Sequence, residues 1–321
     1  MMAPQGLKRH KSQKGLWLLL SLVCFSSLLA VETRFDFESV QMATKFHLSL
    51  HAENREKAEK AADDAFAYVS HLTSLFSDYE PNSELNRLNG STVNKPFKAS
   101  PELLEIVSRS LEISKLTEGA FDITCGQLTR LWRSMKNRRQ LPPADRLAAA
   151  KASMDWRAVQ VDAPAGIITL TKPGMLLDLG GIAKGYAADA VLKLLRERHH
   201  ISRALVIAGG DIAIGDAPPN QEGWEIQLRS SADARKTAIL KNAAVSTSGD
   251  LYQAVTIHGR RYAHIISPKS GLGITTSVTC SVIATHASTS DAVATAMVVL
   301  GKQKGDEIAK KVSGITLCWG E

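Results

Sequence analysis

Asp291 and Thr295 combine a carboxylate and a hydroxyl group in a segment whose apolar pattern predicts a helix over residues 290–300. Side chains four residues apart lie one turn from each other on the same helix face. Oxygen ligands of these two kinds suit a hard cation such as Mg²⁺. The alternative interpretation is a helix N-terminal acid and a buried Thr that bonds back to its own turn. The pair alone is compatible with both.

A second candidate for chemistry is the glycine corner of residues 177–191, which read LDLGGIAKGYAADAV. A buried run ends at Leu177, Gly180 and Gly181 supply a tight turn, and apolar residues then recur at helical spacing. Such a strand, turn and helix direct free backbone N–H groups and the positive end of the helix at an anion, so this corner could hold a phosphate. The alternative is a corner without a ligand, since neither GxGxxG nor GxxxxGK[ST] is present.

Two further side chains, His264 and Tyr79, are candidates for function if they lie near the Asp291–Thr295 pair and the glycine corner. Residues 262–271 (YAHIISPKSG) predict a strand that leads His264 into a Pro-Gly turn. A lone strand His commonly serves packing, but beside a metal and a phosphate it becomes a candidate general base. Tyr79 stands on the polar loop 76–89, where it is either a partly exposed packing residue or a flat surface for a ring-shaped ligand.

The composition is that of a globular protein. The chain has 321 residues, of which 44% are hydrophobic and 22% charged. The net charge of +7 includes four basic residues before position 15, and without them it falls to +3. This small excess gives no support to nucleic-acid binding, which requires basic residues clustered on one face.

Residues 1–30 have the pattern of a secretory signal. Basic residues extend to Lys14, an apolar run covers residues 16–30, and Glu32 and Arg34 follow it. We expect export to the periplasm with cleavage after Ala30. The alternative is an uncleaved anchor, which would associate the protein with the inner membrane. With Cys24 in this segment, the three remaining cysteines form neither a disulfide framework nor a zinc motif.

The rest of the chain, residues 31–321, is predicted to be one domain of the α+β class, with mixed sheets packed with helices, because helices and strands do not alternate strictly. The predicted helices cover residues 53–76, 83–89, 101–119, 182–194 and 290–300. The predicted strands cover residues 45–50, 166–170, 204–208, 224–228, 262–266, 279–285 and 315–319. Residues 135–146, which are basic and contain two prolines, are predicted to be a surface excursion.

Six motifs occur together in one order. They are FSDYEPNSELNRLN (76–89), GAFDITCGQLTRLW (119–132), LDLGGIAKGYAAD (177–189), STSGD (246–250), HIISPKSG (264–271) and DAVATAMVVLG (291–301). In this order and spacing the chain resembles the ApbE-type FAD:protein FMN transferases over residues 40–321. The resemblance implies the flavin transferase fold of that family for residues 31–321.

The resemblance also implies site residues. The positions that match the FAD-contacting residues of the family are Met42, Tyr79, Ala120, Phe121, Asp122, Asp178, Lys184 and Ile265. The positions that match its metal-binding residues are Gly181, through its backbone carbonyl, Asp291 and Thr295. The turn after His264 departs from the family pattern, because Ser267 and Ser270 stand where the family has Asp and Thr.

The activity that the resemblance implies is a Mg²⁺-dependent transfer of FMN from FAD to a Thr or Ser hydroxyl of an acceptor flavoprotein, with release of AMP. FAD is then a substrate, Mg²⁺ the cofactor, and the acceptor flavoprotein the partner. Two alternatives stay open: an exported protein that binds or carries flavin without catalysis, and an FAD pyrophosphatase that uses water as the acceptor.

Overall fold

The computed structural model describes residues 32–136, 138–229, 235–249 and 254–320. The signal prediction for residues 1–30 lies outside this part of the chain. The described helices are α1 (Arg55–Phe76), α2 (Glu84–Asn89), α3 (Pro101–Leu116), α4 (Gly126–Lys136), α5 (Ala144–Ala152), α6 (Ala183–His199) and α7 (Ala287–Ala309), with a short 3₁₀ turn at Trp156–Ala158. The described strands are β1 (Thr33–Gln41), β2 (Thr44–Ala52), β3 (Phe97–Lys98), β4 (Val159–Asp162), β5 (Ile167–Leu170), β6 (Ala204–Ala208), β7 (Asp211–Ile214), β8 (Trp224–Arg229), β9 (Arg235–Leu240), β10 (Ala243–Ser248), β11 (Ala254–Ile257), β12 (Arg260–Ala263), β13 (Thr279–Ala284) and β14 (Thr316–Gly320).

A seven-stranded antiparallel sheet with the order β1-β2-β6-β7-β10-β13-β14 is the centre of the fold. Three small sheets accompany it, made of β3-β5-β4, β8-β9 and β11-β12. Strands β1 and β2 are joined by a two-residue turn in which Met42 and Ala43 have φ angles of 47° and 56°. Both central residues of such a turn need positive φ to match the strand twist.

The two faces of the central sheet are covered by different elements. Helices α1, α6 and α7 pack on one face, where Val206 of β6 joins the main hydrophobic core. The hairpin β8-β9 covers the other face through Trp224 and Ile226, which pack against Leu205 and Ile214. Successive residues of β6 thus serve opposite cores, as the period of two in a strand requires. Helices packed on antiparallel sheets confirm the predicted α+β class.

Local signals set the helix starts. The Asn54 side chain accepts a hydrogen bond from the backbone N–H of Lys57 and starts α1, and Ser83 and Ser100 cap α2 and α3 in the same way. In α1 the residues with apolar side chains at helical spacing, from Ala58 to Phe76, are buried as predicted.

Helices α6 and α7 cross in backbone contact. A Cβ atom on Gly185 would lie 2.2 Å from the carbonyl oxygen of Ala287, so this position of α6 has no room for a side chain. One turn further along α6, the Asp189 carboxylate accepts hydrogen bonds from the backbone N–H groups of Ala287 (2.7 Å) and Ser288 (2.9 Å). The first turn of α7 is therefore held against the first turns of α6.

One local prediction was wrong. Leu177 does not lie in a strand, because the Asn89 side chain accepts a hydrogen bond from the N–H of Leu177 at 2.7 Å and donates one to its carbonyl at 3.0 Å, in place of a neighbouring strand. The predicted surface excursion fits residues 138–146, whose charged side chains are exposed, although α4 continues to Lys136 and α5 begins at Ala144. Leu128, Trp132 and Met135 are buried along α4 at helical spacing, a signal that predicts this helix.

Two ends differ from the predictions by a few residues. Strand β12 ends at Ala263, so His264 follows the strand and does not lie in it. Helix α7 begins at Ala287 and is interrupted at Gly301, whose φ of 75° is not helical. Its first segment therefore ends at the glycine that was predicted to close it. Among the described helices, none combines the length and the apolar character that crossing a membrane would take.

Candidate active site

A lysine between two buried carboxylates marks the place where α6, α7 and the central sheet meet. Lys184 Nζ lies 2.9 Å from Asp211 Oδ2 and 3.5 Å from Asp291 Oδ2. Lys184 belongs to the first turn of α6, Asp291 to the second turn of α7, and Asp211 begins β7. Asp291 Oδ2 also accepts a hydrogen bond from the backbone N–H of Gly185 at 3.2 Å. The α6–α7 crossing thus brings the acid of α7 to the glycine corner.

The three charges of this cluster depend on one another. Burial raises the pKa of the Asp291 carboxyl, the charge of Asp211 adds to this rise, and the Lys184 ammonium opposes it. Burial works against the charged form of Lys184, but Asp291 and Asp211 outweigh it and raise the pKa of the amine. A cation is therefore favoured between these carboxylates.

The predicted metal residues lie together. A Cβ atom on Gly181 would lie 3.6 Å from Thr295 Oγ1 and 3.2 Å from the Phe121 ring, so the backbone of the corner faces the middle of α7. Thr295 is half-buried one turn after Asp291, and its hydroxyl lies 3.4 Å from Ser248 Oγ of β10. The structure thus brings Gly181, Asp291 and Thr295 to one side of the corner.

Oxygen donors of this kind fit Mg²⁺. The set offers one carboxylate, one hydroxyl and one backbone carbonyl, all hard ligands, and Mg²⁺ typically takes few protein ligands and completes its shell with water and phosphate oxygens. No cluster of three or more His, Cys, Asp or Glu side chains suited to a metal occurs in the described part of the chain. The residues present therefore fit a cation that shares a phosphate with its ligand, and they lack the donor set of a closed structural zinc site.

Residues 120–122 lie beside the same corner. The backbone N–H of Asp178 donates to the carbonyl of Ile123 at 2.8 Å, and this hydrogen bond joins the segment to the residues that precede the glycines. Asp122 accepts hydrogen bonds from the N–H and hydroxyl of Thr124, at 2.8 and 2.7 Å, and burial raises the pKa of the carboxyl despite them. Phe121 is buried against Gly181, and Ala120 precedes it at the end of a turn closed by Thr117.

Tyr79 and Asp178 are linked by an arginine of α4. Arg133 forms ion pairs with Asp178 Oδ2 at 3.0 Å and with Asp78, and its guanidinium carbon lies 4.4 Å from the centroid of the Tyr79 ring. Asp178 Oδ1 accepts a hydrogen bond from the N–H of Gly180 at 2.8 Å. Asp178 is thus a support of the glycine turn, and Tyr79, 74% exposed, stands at its edge.

Met42 approaches from the central sheet. Met42 lies in the β1–β2 turn, two residues before Thr44. Thr44 contacts the turn between β6 and β7, because a Cβ atom on Gly209 would be 2.8 Å from Thr44 Oγ1. Asp211 follows two residues after Gly209. Met42 is therefore placed at the end of the sheet that carries the carboxylate partner of Lys184.

His264 and Ile265 lie beyond β12. His264 is exposed, whereas Ile265 is buried in a hydrophobic cluster with Ile274 and with Val298 of α7. Val298 is three residues from Thr295, so the segment that carries His264 packs on α7 next to the predicted metal residues. The Ile265 side chain serves this packing, and its carbonyl accepts a hydrogen bond from the N–H of Ile274 at 2.9 Å.

Two cavities lie near these elements. One of about 360 Å³ opens beside Asp122 and is lined also by Trp156, Arg157 and Pro268. A larger one of about 840 Å³ lies along α3 and α6 and includes Tyr186 and none of the predicted site residues. The smaller cavity is thus lined by one predicted FAD position, Asp122, and by Pro268 of the turn after His264.

Two charged residues of this site were missed in the sequence, namely Asp211 and Arg133. Asp211 follows a strand and a Gly-Gly pair, the same pattern as the corner at Gly180 and Gly181, and this repetition is the signal that could have found it. Nothing local to Arg133 distinguishes it from the other basic residues of its segment. Its partners, Asp78 and Asp178, are 55 and 45 residues away.

An α+β fold with a carboxylate, a hydroxyl and a backbone carbonyl gathered beside a glycine corner defines the class of protein. The model of the ApbE family matches residues 42–319. An FAD:protein FMN transferase of Klebsiella pneumoniae (strain 342) is 32% identical over 282 residues, which span 84% of this chain and 79% of that protein. The corresponding protein of Escherichia coli (strain K12) is 32% identical over 249 residues, spanning 74% and 70%. The chain therefore belongs to the ApbE family, which confirms the resemblance carried by the motifs.

Solved structures agree with this fold. The crystal structure of the Pseudomonas stutzeri flavinyl transferase ApbE, in its apo form, has a TM-score of 0.79 with 24% identity and covers 91% of this chain and 96% of that one. The ApbE protein of Thermotoga maritima has a TM-score of 0.78 with 25% identity, and the coverage is 89% and 93%.

Replacing Lys184 by Met is expected to lower the free energy of unfolding by about 2 kcal/mol, because Asp211 and Asp291 would be left buried without a cation. The effect is smaller than for a fully buried pair, since 29% of the Lys184 side chain is exposed. Urea denaturation in EDTA measures it. Lys193→Met, on the exposed side of α6, is the control and should change little. Equal midpoints for the two variants would contradict the prediction.

Proposed function

We propose that this protein transfers FMN from FAD to a Thr or Ser hydroxyl of an acceptor flavoprotein, with Mg²⁺ as cofactor and AMP as the second product. The relatives that share about a third of its residues over most of their length are FAD:protein FMN transferases. The observation that carries the proposal is the convergence of Gly181, Asp291 and Thr295 at the glycine corner.

Asp291, Thr295 and the Gly181 carbonyl would hold the cation. When bound there, Mg²⁺ supplies positive charge that neutralises a diphosphate and makes phosphorus more open to attack. Because these three donors would leave half of an octahedral shell to other oxygens, the diphosphate of FAD is the natural further ligand. The donor set thus accounts for a substrate that carries two linked phosphates.

The chain itself supplies the rest of the binding site. The positive end of the α6 dipole lies at the corner, and the Lys184 ammonium offsets part of the negative charge of Asp211 and Asp291 there. Tyr79 offers an exposed aromatic ring at the edge of the glycine turn, and Phe121 is buried against Gly181. Asp178 keeps that turn in place through the N–H of Gly180. An anionic dinucleotide with a flat ring suits this combination.

In the reaction, the hydroxyl oxygen of the acceptor attacks the FMN phosphorus of FAD. The new P–O ester bond forms as the bond between the two phosphates breaks, and AMP leaves. The hydroxyl proton must pass to a base, and we propose His264, which is exposed in a segment packed on α7 beside Thr295. Ser267 stands where the family has a carboxylate, and its hydroxyl cannot accept this proton at neutral pH. His264 is therefore the proposed proton acceptor in this chain.

Residues 1–30 are proposed to direct export, so that the reaction takes place in the periplasm on exported flavoproteins. The basic stretch followed by an apolar run supports this. Fractionation of cells expressing the whole chain, with and without residues 1–30, tests it. Recovery of the whole chain in the cytoplasm would overturn it.

The transfer itself is tested with purified protein, FAD, Mg²⁺ and an acceptor flavoprotein. We expect one AMP released for each flavin that stays on the acceptor after denaturation, as followed by fluorescence in a gel and by mass spectrometry. Free FMN formed without acceptor would favour an FAD pyrophosphatase. Binding of FAD with no AMP release under any of these conditions would favour a flavin carrier. Either result in place of labelling would overturn the proposal.

Asp291→Asn is expected to lower the transfer rate at 1 mM Mg²⁺ by about a hundredfold and to raise the Mg²⁺ concentration needed for half-maximal rate, because a neutral amide is a poorer ligand than a carboxylate. Steady-state AMP release against Mg²⁺ concentration measures both. Glu307→Gln removes a carboxylate from the exposed side of the same helix and serves as the control. An unchanged Mg²⁺ dependence would remove Asp291 from the metal site.

His264→Gln is expected to lower kcat by about a hundredfold while the KM for FAD stays nearly the same, because a base acts in the chemical step and not in FAD binding. His258→Gln, in the neighbouring β11–β12 turn, is the control. A variant with the wild-type kcat would exclude His264 as the base.

A further inference from the structure

Arg133 of α4 connects three separate parts of the site. Its guanidinium group is paired with Asp178 of the glycine corner and with Asp78 of the loop 77–83, and it lies under the ring of Tyr79 in that loop. The side chain of Arg133 is 35% exposed, whereas those of Asp78 and Asp178 are 10% and 7% exposed. A planar fork with several donors is suited to bridging two carboxylates while it stacks on an aromatic ring.

The backbone of this loop is held without Arg133. The Asn86 side-chain amide donates to the carbonyls of Asp78 (3.1 Å) and Glu80 (2.9 Å), and the Ser77 hydroxyl accepts from the N–H groups of Tyr79 and Glu80, both at 3.2 Å. These bonds fix where the loop runs. They do not set the direction of the Tyr79 ring, because a side chain that is 74% exposed has few neighbours that restrict its rotamer.

Arg133 also balances the charge of the two acids. Burial raises the pKa of the Asp78 carboxyl, the charge of Asp178 raises it further, and the hydrogen bond and charge of Arg133 oppose both. Without the guanidinium group, two nearly buried carboxylates would face each other at the rim of a site for an anionic ligand. Their repulsion would favour other positions of the Asp78 side chain and leave the Tyr79 ring without its guanidinium partner.

We infer that Arg133 is a positioning residue for the flavin: it holds the Tyr79 ring against the glycine corner so that the exposed face of the ring can stack on the isoalloxazine of FAD. This inference rests on the proposed function, in which FAD binds at that corner. Arg133 does not touch the reacting phosphorus in this arrangement. It acts through the Tyr79 ring, and its ion pair with Asp178 fixes the guanidinium group against the corner.

The test compares the whole protein with its Arg133→Met variant by fluorescence titration of FAD, without acceptor. The loss of one ordered aromatic stack corresponds to about a tenfold increase in the dissociation constant for FAD. Bound flavin should also fluoresce more strongly, since a stacked phenol quenches it. At saturating FAD the rate of AMP release with acceptor should stay within about threefold of wild type, which separates KM from kcat.

Three further variants make the result specific. Arg138→Met removes an exposed charge just after α4 and should bind FAD as wild type does. Arg133→Lys keeps the charge but cannot bridge both carboxylates under the ring, so we expect the same gain of flavin fluorescence with a smaller loss of affinity. In a Tyr79→Ala background, Arg133→Met should cost at most about twofold in affinity, because the ring through which it acts is gone.

The outcomes are distinguishable from those of the proposed function. If the wild-type protein neither binds FAD nor labels an acceptor, the proposed function fails. If it does both, and Arg133→Met leaves affinity and flavin fluorescence unchanged, or its effect is the same with and without Tyr79, the inference alone is overturned. Should Arg133→Met fail to fold by circular dichroism, Arg133→Lys decides through the same fluorescence change.

Discussion

The backbone contact between α6 and α7 is the constraint on which the site depends. Gly185 lets the carbonyl of Ala287 approach its Cα as closely as two backbones can, and Asp189 ties the first N–H groups of α7 to α6. As a result Asp291, in the second turn of α7, lies beside Lys184 in the first turn of α6. A side chain at position 185 would separate the helices and take the carboxylate away from the corner.

Charge balance gives this arrangement its chemical character. Lys184 stands between Asp211 and Asp291, and Arg133 between Asp78 and Asp178, so each of two cations is shared by two buried carboxylates. Both groups lie at the glycine corner, one on each side of it. Their net negative charge favours a divalent cation, and a cation in turn favours a diphosphate, which would otherwise be repelled. The acidic side chains and the anionic substrate can therefore lie close together only when a cation balances their negative charge.

Much of the site could be read from the order of its residues. The Asp291–Thr295 pair and the Gly180–Gly181 turn are local patterns, each within one or two turns of chain. Six such patterns in one order identified the ApbE family, because together they are far more specific than any of them alone. Interactions between near neighbours in the chain depend on spacing, and spacing is visible in a sequence.

What the tertiary structure decided is which distant residues meet. Asp211 and Arg133 became part of the site only when β7 and α4 were placed, and Leu177 left its predicted strand because Asn89, 88 residues away, bonds its backbone. The edge strand β1 and the helix α5 bury few side chains and so carry weak patterns. The sequence by itself determined the family and the α+β class, and it supplied the candidate residues for Mg²⁺ and phosphate. Only the folded chain determined their partners, since a contact between remote segments depends on packing that no local pattern encodes.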